Sequence, residues 1–175
     1  MGVAITACGD DAPAAPALVS FRATLASSEE VPPSTTSASG SCEFTLSRDT
    51  DTLYVNFTVN NLSNVRFRHV HTGARGANGA VVAFLVNPPT LTGAPNGRIG
   101  KQCIAAANLS GTLAGQPLTA LTDLMRAGTI CVNLHTDANA CGELRGQVAL
   151  PLQSARRTNK RTVDFCGATV RFCFR

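Results

Sequence analysis

The order of apolar and polar side chains along the chain is that of a protein built from short strands. In residues 54–59 (YVNFTV) every second side chain is apolar, which is the pattern of a strand with one buried face. Other segments are short, rich in branched side chains and bounded by turn residues. The predicted strands are Phe21–Leu25, Cys42–Ser47, Leu53–Val59, Val65–His71, Ala80–Val86, Ile104–Thr112, Thr129–His135 and Glu143–Leu150.

One helix is predicted among these strands. In Pro117–Ala127 leucines recur on one helical face, and Gly128 can end the helix. Strong turn signals, such as the Pro-Asn-Gly run at 95–97, separate the strands. Eight short strands and one short helix predict an all-β domain, either a two-sheet antiparallel β-sandwich or a flattened barrel.

Charge divides the chain into a near-neutral domain and a basic end. Residues 151–175 hold six of the fifteen basic residues and one of the eleven acidic ones, so this tail has a net charge of +5 and residues 1–150 one of −1. A near-neutral domain lacks the basic face of a nucleic-acid binder, so we expect no DNA or RNA partner. We divide the chain into an N-terminal segment and linker (1–18), a domain (19–150) and a basic, cysteine-containing tail (151–175).

Seven cysteines in a chain with only 15% charged residues indicate an oxidising compartment, and the two-cysteine spacings of metal fingers are absent. We therefore expect an extracytoplasmic protein that is secreted, periplasmic or lipid-anchored at the cell surface. Residues 5–8 (ITAC) resemble a bacterial lipoprotein box, with Cys8 as the lipidation candidate. Only seven residues precede Cys8, so either the start is truncated or the match is chance. Contact with a membrane is expected only through such a lipid, because no apolar run approaches the ~20 residues of a spanning helix.

Four of the cysteines lie in the domain and are candidates for disulfides. Cys42, Cys103, Cys131 and Cys141 allow three pairings, while two further cysteines lie in the tail. Disulfides are the expectation for an exported protein, and free buried thiols are the alternative.

Several short motifs follow one another in a recognisable order and spacing. They are residues 21–25 (FRATL), 29–33 (EEVPP), 69–73 (HVHTG), 131–136 (CVNLHT) and 142–147 (GELRGQ). From about Val19 to Leu150 the chain resembles the CHRD (chordin-domain) family. The resemblance implies an all-β extracytoplasmic module of the kind found in chordin, which binds bone morphogenetic proteins, and in many bacterial secreted proteins. It supplies no reaction.

All three histidines of the chain lie in these motifs. Residues i and i+2 of a strand face the same way about 7 Å apart, so His69 and His71 can converge on one ion. His135 ends another strand, on the face opposite its apolar side chains. If the two strands are neighbours, three imidazoles and an open position result, a set suited to copper or zinc.

The same histidines can instead act as scaffolding, by hydrogen bonding to loop backbone and to Glu143 or Asp137. Asp137 is also a candidate to support His135 as a hydrogen-bond acceptor. Glu143 and Arg145 share one face of the last strand, where they can form an ion pair or a contact behind the metal ligands, although a solvated or structural pair is the favoured interpretation. Because no Ser–His–Asp set, phosphate loop or close carboxylate pair is evident, catalysis is not predicted.

These observations predict an extracytoplasmic protein that binds a transition metal, copper by preference, through His69, His71 and His135 without catalysis. The alternative is a metal-free structural module or one that binds an extracellular protein. A metal-dependent oxidoreductase is a minority alternative, because an open metal position allows chemistry.

Overall fold

A single antiparallel sheet of eight strands makes up most of the fold. The computed structural model describes residues 18–85, 93 and 96–151. The strands are β1 (Ser20–Ala26), β2 (Ser39–Leu46), β3 (Leu53–Asn60), β4 (Val65–Thr72), β5 (Val81–Leu85), β6 (Gly97–Ile104), β7 (Ile130–Thr136) and β8 (Leu144–Gln147), with one helix, α1 (Leu118–Arg126). Their order is β5-β4-β7-β8-β1-β2-β3-β6, and the edge strands β5 and β6 contact each other. The sheet thus curls into a nearly closed barrel, which confirms the all-β prediction.

The apolar residues of the alternating strands fill the inside of the curled sheet. In β3, Leu53, Val55, Phe57 and Val59 are all fully buried, as the alternation predicts. The helix adds its own buried face, which includes Leu121. The predicted helix at Pro117–Ala127 is therefore confirmed, with Pro117 immediately before its first residue.

One polar side chain crosses this core. Arg68 on β4 is 2% exposed, its guanidinium lies 5.4 Å from the centre of the Phe57 ring, and its Nη1 donates a hydrogen bond to the Ile99 carbonyl at 2.6 Å. Ile99 belongs to β6, at the other edge of the sheet. A single buried guanidinium therefore ties β4 to the opposite edge strand.

The sixth strand was predicted in the wrong place. It spans Gly97–Ile104, whereas the predicted segment Ile104–Thr112 forms two short 3-10 turns. The turns form in place of a strand because the Asn108 side chain accepts a hydrogen bond from the Ala105 backbone N–H at 2.8 Å. This side chain takes the place of the backbone carbonyl that a neighbouring strand would supply. Only an isolated bridge between Leu109 and Ala83 of β5 keeps a strand-like contact there.

The expected disulfides among the four domain cysteines are not formed, since Cys42, Cys103, Cys131 and Cys141 are all free thiols. Cys42 on β2 and Cys103 on β6 are separated by β3, and Cys42 and Cys131 on β7 are separated by β1 and β8. Two strand spacings already amount to about 10 Å, beyond the reach of a disulfide. Cys8, the segment before residue 18 and the tail after residue 151 lie outside the described residues.

Strand β7 runs through the middle of one side of the sheet, and all seven of its residues are buried. Ile130, Val132 and Leu134 face the core, while the alternate residues face outward. Loops cover that outer face, as shown by the Asn78 side chain, which donates to the Val31 carbonyl at 2.9 Å. Among the described residues no helix is long and apolar enough to cross a membrane.

Candidate metal centre

The three histidines lie on one outer face of two neighbouring strands. β4 and β7 pair antiparallel, with His69 opposite Asn133, and Phe67 opposite His135. Residues that face each other across an antiparallel pair project to the same side of the sheet. The strand neighbourhood on which the metal prediction depended is therefore present in the fold.

The imidazoles approach each other closely. One nitrogen of each ring lies within 4.8 Å of the other two, and His69 Nδ1 is 3.1 Å from His135 Nε2. Two nitrogens that bind one tetrahedral ion at 2.0–2.1 Å are about 3.3 Å apart. The His69–His135 pair thus already has the spacing of two ligands of one ion.

Two of the rings are held from behind by backbone carbonyls. His71 Nδ1 is 3.0 Å from the Gly79 carbonyl oxygen, and His135 Nδ1 is 2.9 Å from that of Ala140. A carbonyl only accepts, so each Nδ1 carries the proton, and in the neutral ring Nε2 carries the lone pair. Metal-binding histidines are held and oriented in this way.

Both Nε2 atoms point at the same amide group. Asn133 Oδ1 lies 3.0 Å from His71 Nε2 and 3.1 Å from His135 Nε2, and Asn133 is 5% exposed. Asn133 alternates to the same face of β7 as His135, and the sequence gave no indication of a role for it. Its contacts bring the oxygen and the two ring nitrogens to a common point.

Burial keeps two of the rings in the neutral form that binds metals. The pKa of His69 is lowered to about 4, first by burial and then by the positive charges that His135 and His71 can carry. The pKa of His135 is also lowered, again mainly by burial, although its contact with the Ala140 carbonyl opposes the shift. Both rings are therefore neutral at neutral pH, the form in which an imidazole can bind a metal ion.

The family model of the CHRD domain matches residues 21–148. The chain belongs to the CHRD domain family. The matched range of the CHRD domain runs from Phe21 on β1 to the residue after β8, so it contains all eight strands and the three histidines. Comparison with curated proteins gives no match.

Two exposed aromatic rings flank the histidines of the CHRD domain. The Phe67 ring stacks on His69 with 5.9 Å between centroids, and Phe84 on β5 meets His69 edge-on at 5.1 Å. Phe67 is 43% exposed and Phe84 61%. Sequence reasoning missed both, although the spacing of two residues between Phe67 and His69 was a usable signal.

A buried carboxyl group lies behind Asn133. Glu30 is 5% exposed, and burial raises its pKa to about 7, against the lowering effects of the Arg145 guanidinium and of hydrogen bonds from the Val31 backbone and the Asn133 side chain. Its Oε1 has no hydrogen-bond partner among the described residues. Glu30 was missed because it lies in the loop after β1, whose position over β7 the sequence does not show.

The residues predicted to support the histidines make other contacts. Asp137 forms an ion pair with Arg66, and Glu143 accepts hydrogen bonds from Thr136 Oγ1 and from Asn139 Nδ2 at 3.1 Å. The support that His135 was expected to receive from Asp137 comes instead from the Ala140 carbonyl, because the loop after β7 folds back over the ring.

Arg145 does not pair with Glu143 in these contacts. Its guanidinium donates to Asn78 Oδ1 at 2.9 Å and to the Ala77 carbonyl. Arg145 therefore fastens the loop that carries Gly79, whose carbonyl meets His71. Cys131 lies opposite His71 in register, and burial raises the pKa of its thiol, so it remains protonated beside the histidines.

Proposed function

We propose that this CHRD domain acts outside the cytoplasm as a non-catalytic module that binds a transition-metal ion through His69, His71 and His135. The observation that carries the proposal is that the Nδ1–H groups of His71 and His135 donate hydrogen bonds to backbone carbonyls. These bonds orient both Nε2 lone pairs toward one point. When His71 is neutral, its Nε2 and Asn133 Oδ1 meet at 3.0 Å with no proton between them. A cation at that point converts this unfavourable contact into coordination.

The donor set favours copper(II) or zinc over hard cations. Imidazole nitrogens suit both ions, and at a given nitrogen site copper(II) binds more tightly than zinc. Copper is therefore our preferred ion. The extracytoplasmic part of the proposal rests on membership in the CHRD family.

Metal-dependent stabilisation of the folded protein tests the proposal. An ion that binds only the folded state, at 100 times its dissociation constant, contributes about 2.7 kcal/mol, which corresponds to a rise of about 5–10 °C in Tm. Copper(II) or zinc should cause this rise in the untagged parent, and His69→Ala, His71→Ala and His135→Ala should each remove most of it.

Tyr54→Ala is the matched control, because Tyr54 is an exposed ring on a strand away from the histidines. This variant should keep the full metal-dependent rise. If the parent shows no rise, or if the three histidine variants are less stable yet retain it, the histidines are not the ligands.

One observation favours the metal-free alternative of a protein-interaction module. Phe67 and Phe84 present exposed rings side by side with His69, and apolar surface of this kind is enriched where proteins meet. Failure of the metal test would leave this aromatic surface as the functional feature of the domain.

A further inference from the structure

Asn133 occupies the centre of the histidine-bearing face. In register it lies between His69 on β4 and Arg145 on β8, and it is almost fully buried. A polar side chain in such a position must satisfy both ends of its amide group. Its neighbours therefore decide which end faces the histidines.

The distances around the amide oxygen are those of a ligand set. Oδ1 lies 3.0 and 3.1 Å from the two Nε2 atoms, and two ligands of one tetrahedral ion are about 3.3 Å apart. The oxygen thus stands, relative to His71 and His135, where a further ligand of the same ion would stand. An amide oxygen is a neutral donor that suits divalent cations.

The other end of the amide meets Glu30. The amide oxygen faces the imidazoles, and a hydrogen bond from the Asn133 side chain lowers the pKa of Glu30, so the NH₂ group faces the Glu30 carboxyl group. Glu30 is itself confined, because a Cβ atom at Gly142 would lie only 2.5 Å from its Oε1. The Glu30 side chain therefore has no room to move toward the loop that holds Gly142.

On the basis of the proposed function, we infer that Asn133 is a fourth protein ligand, binding the ion through Oδ1, and that Glu30 is a positioning residue that fixes the orientation of the amide. Three imidazoles and an amide oxygen select a borderline divalent ion, copper(II) or zinc. They select against copper(I), which prefers soft sulfur ligands.

Copper(II) and zinc salts, added separately to the untagged full chain, test the inference. Affinity is measured by competition with a chelator of known strength, and the copper(II) complex is examined by electron paramagnetic resonance. Asn133→Leu should weaken binding at least ~10-fold and alter the copper spectrum, while Asn133→Asp, which keeps an oxygen donor, should bind at least as tightly as the parent.

Glu30→Gln separates positioning from packing. The Gln side chain has the size of Glu but can donate to Asn133 Oδ1 and so permit the amide to flip. We expect affinity to fall ~10–100-fold with little change in the Tm of the ion-free protein. Glu29→Gln and Asn60→Asp are the controls, since Glu29 pairs with Arg75 and Asn60 is exposed on β3.

The outcomes separate this inference from the proposed function. A parent that binds no ion contradicts the proposed function itself. A parent whose binding depends on the three histidines, but whose affinity and spectrum survive Asn133→Leu and Glu30→Gln, overturns the inference alone. If Asn133→Leu does not fold, the near-isosteric Asn133→Asp decides, because an unchanged copper spectrum in that variant would exclude Asn133 from the coordination.

Discussion

At the scale of single residues, a hydrogen-bond partner at one ring nitrogen determines which nitrogen of an imidazole carries the lone pair that can bind an ion. The spacing of His69 and His71 suffices to predict that they share a face of a strand. The Nδ1 atoms of His71 and His135 contact the backbone carbonyls of Gly79 and Ala140, which lie in loops. No pattern of side chains in the sequence indicates such backbone partners. The orientation of these two rings therefore depends on loop conformation.

The depressed pKa of His69 and the raised pKa of Glu30 give stability two opposite dependences on pH in the ion-free protein. His69 has a folded pKa of about 4, so its contribution to stability is lost as pH falls from about 6.5 towards 4, because the unfolded chain binds the proton more readily. Glu30 has a folded pKa of about 7, so its contribution is lost as pH rises from about 4.5 to 7.

Urea unfolding of three proteins across pH 4–8 resolves the two effects. Relative to the parent, His69→Ala should lose the fall in stability towards low pH, an effect on the order of 2 kcal/mol, and Glu30→Gln should lose the opposite slope. Parallel stability curves for parent and His69→Ala would show that the folded protein does not disfavour protonation of His69.

At the scale of secondary-structure elements, the sequence predicted which segments form strands better than it predicted which strands pair in the sheet. Because side-chain alternation is a local property, seven of the eight predicted strands overlap the observed ones in order by several residues, whereas the prediction Ile104–Thr112 shares only Ile104 with β6. The pairing of β4 with β7, on which the histidine cluster depends, brings together residues more than sixty positions apart. Alternation carries no information about such partners, although the family motifs did mark the residues concerned.

The loop between β7 and β8 is expected to be sensitive at Gly142. This residue has φ 129° and packs against the Glu30 carboxylate, so Gly142→Ala should introduce both backbone strain and a steric clash. We expect a loss of about 2–4 kcal/mol in the free energy of unfolding, measured with urea, together with weaker metal binding.

Gly76→Ala, in the loop between β4 and β5, is the matched control for Gly142→Ala. Gly76 also has a positive φ, of 78°, but a Cβ atom there would meet nothing within 4 Å. Its cost should be about 1 kcal/mol, with metal affinity unchanged. Equal losses in the two variants would mean that contact with Glu30 adds nothing to the strain.

At the scale of the whole molecule, closure of the curled sheet depends on a contact that crosses the core. Replacing Arg68 by Met keeps much of its volume but leaves the Ile99 carbonyl without the hydrogen bond from the guanidinium. The expected loss is about 1–3 kcal/mol, measured by urea unfolding. Arg66→Met, at an exposed position on the same strand, should cost less than about 0.5 kcal/mol, and a similar cost for both would contradict the role given to Arg68.

The composition of strand β6 also affects whether copies of this protein can pair through the edges of their sheets. Among the described strands it pairs only with β3, and an edge strand of this kind offers unpaired backbone groups to any neighbour. Gly97 and Gly100, both with positive φ, interrupt its regular extension, and Lys101 is exposed beside them. The irregular composition that kept β6 from being predicted by its side-chain pattern thus also makes it a poor template for intermolecular β-pairing.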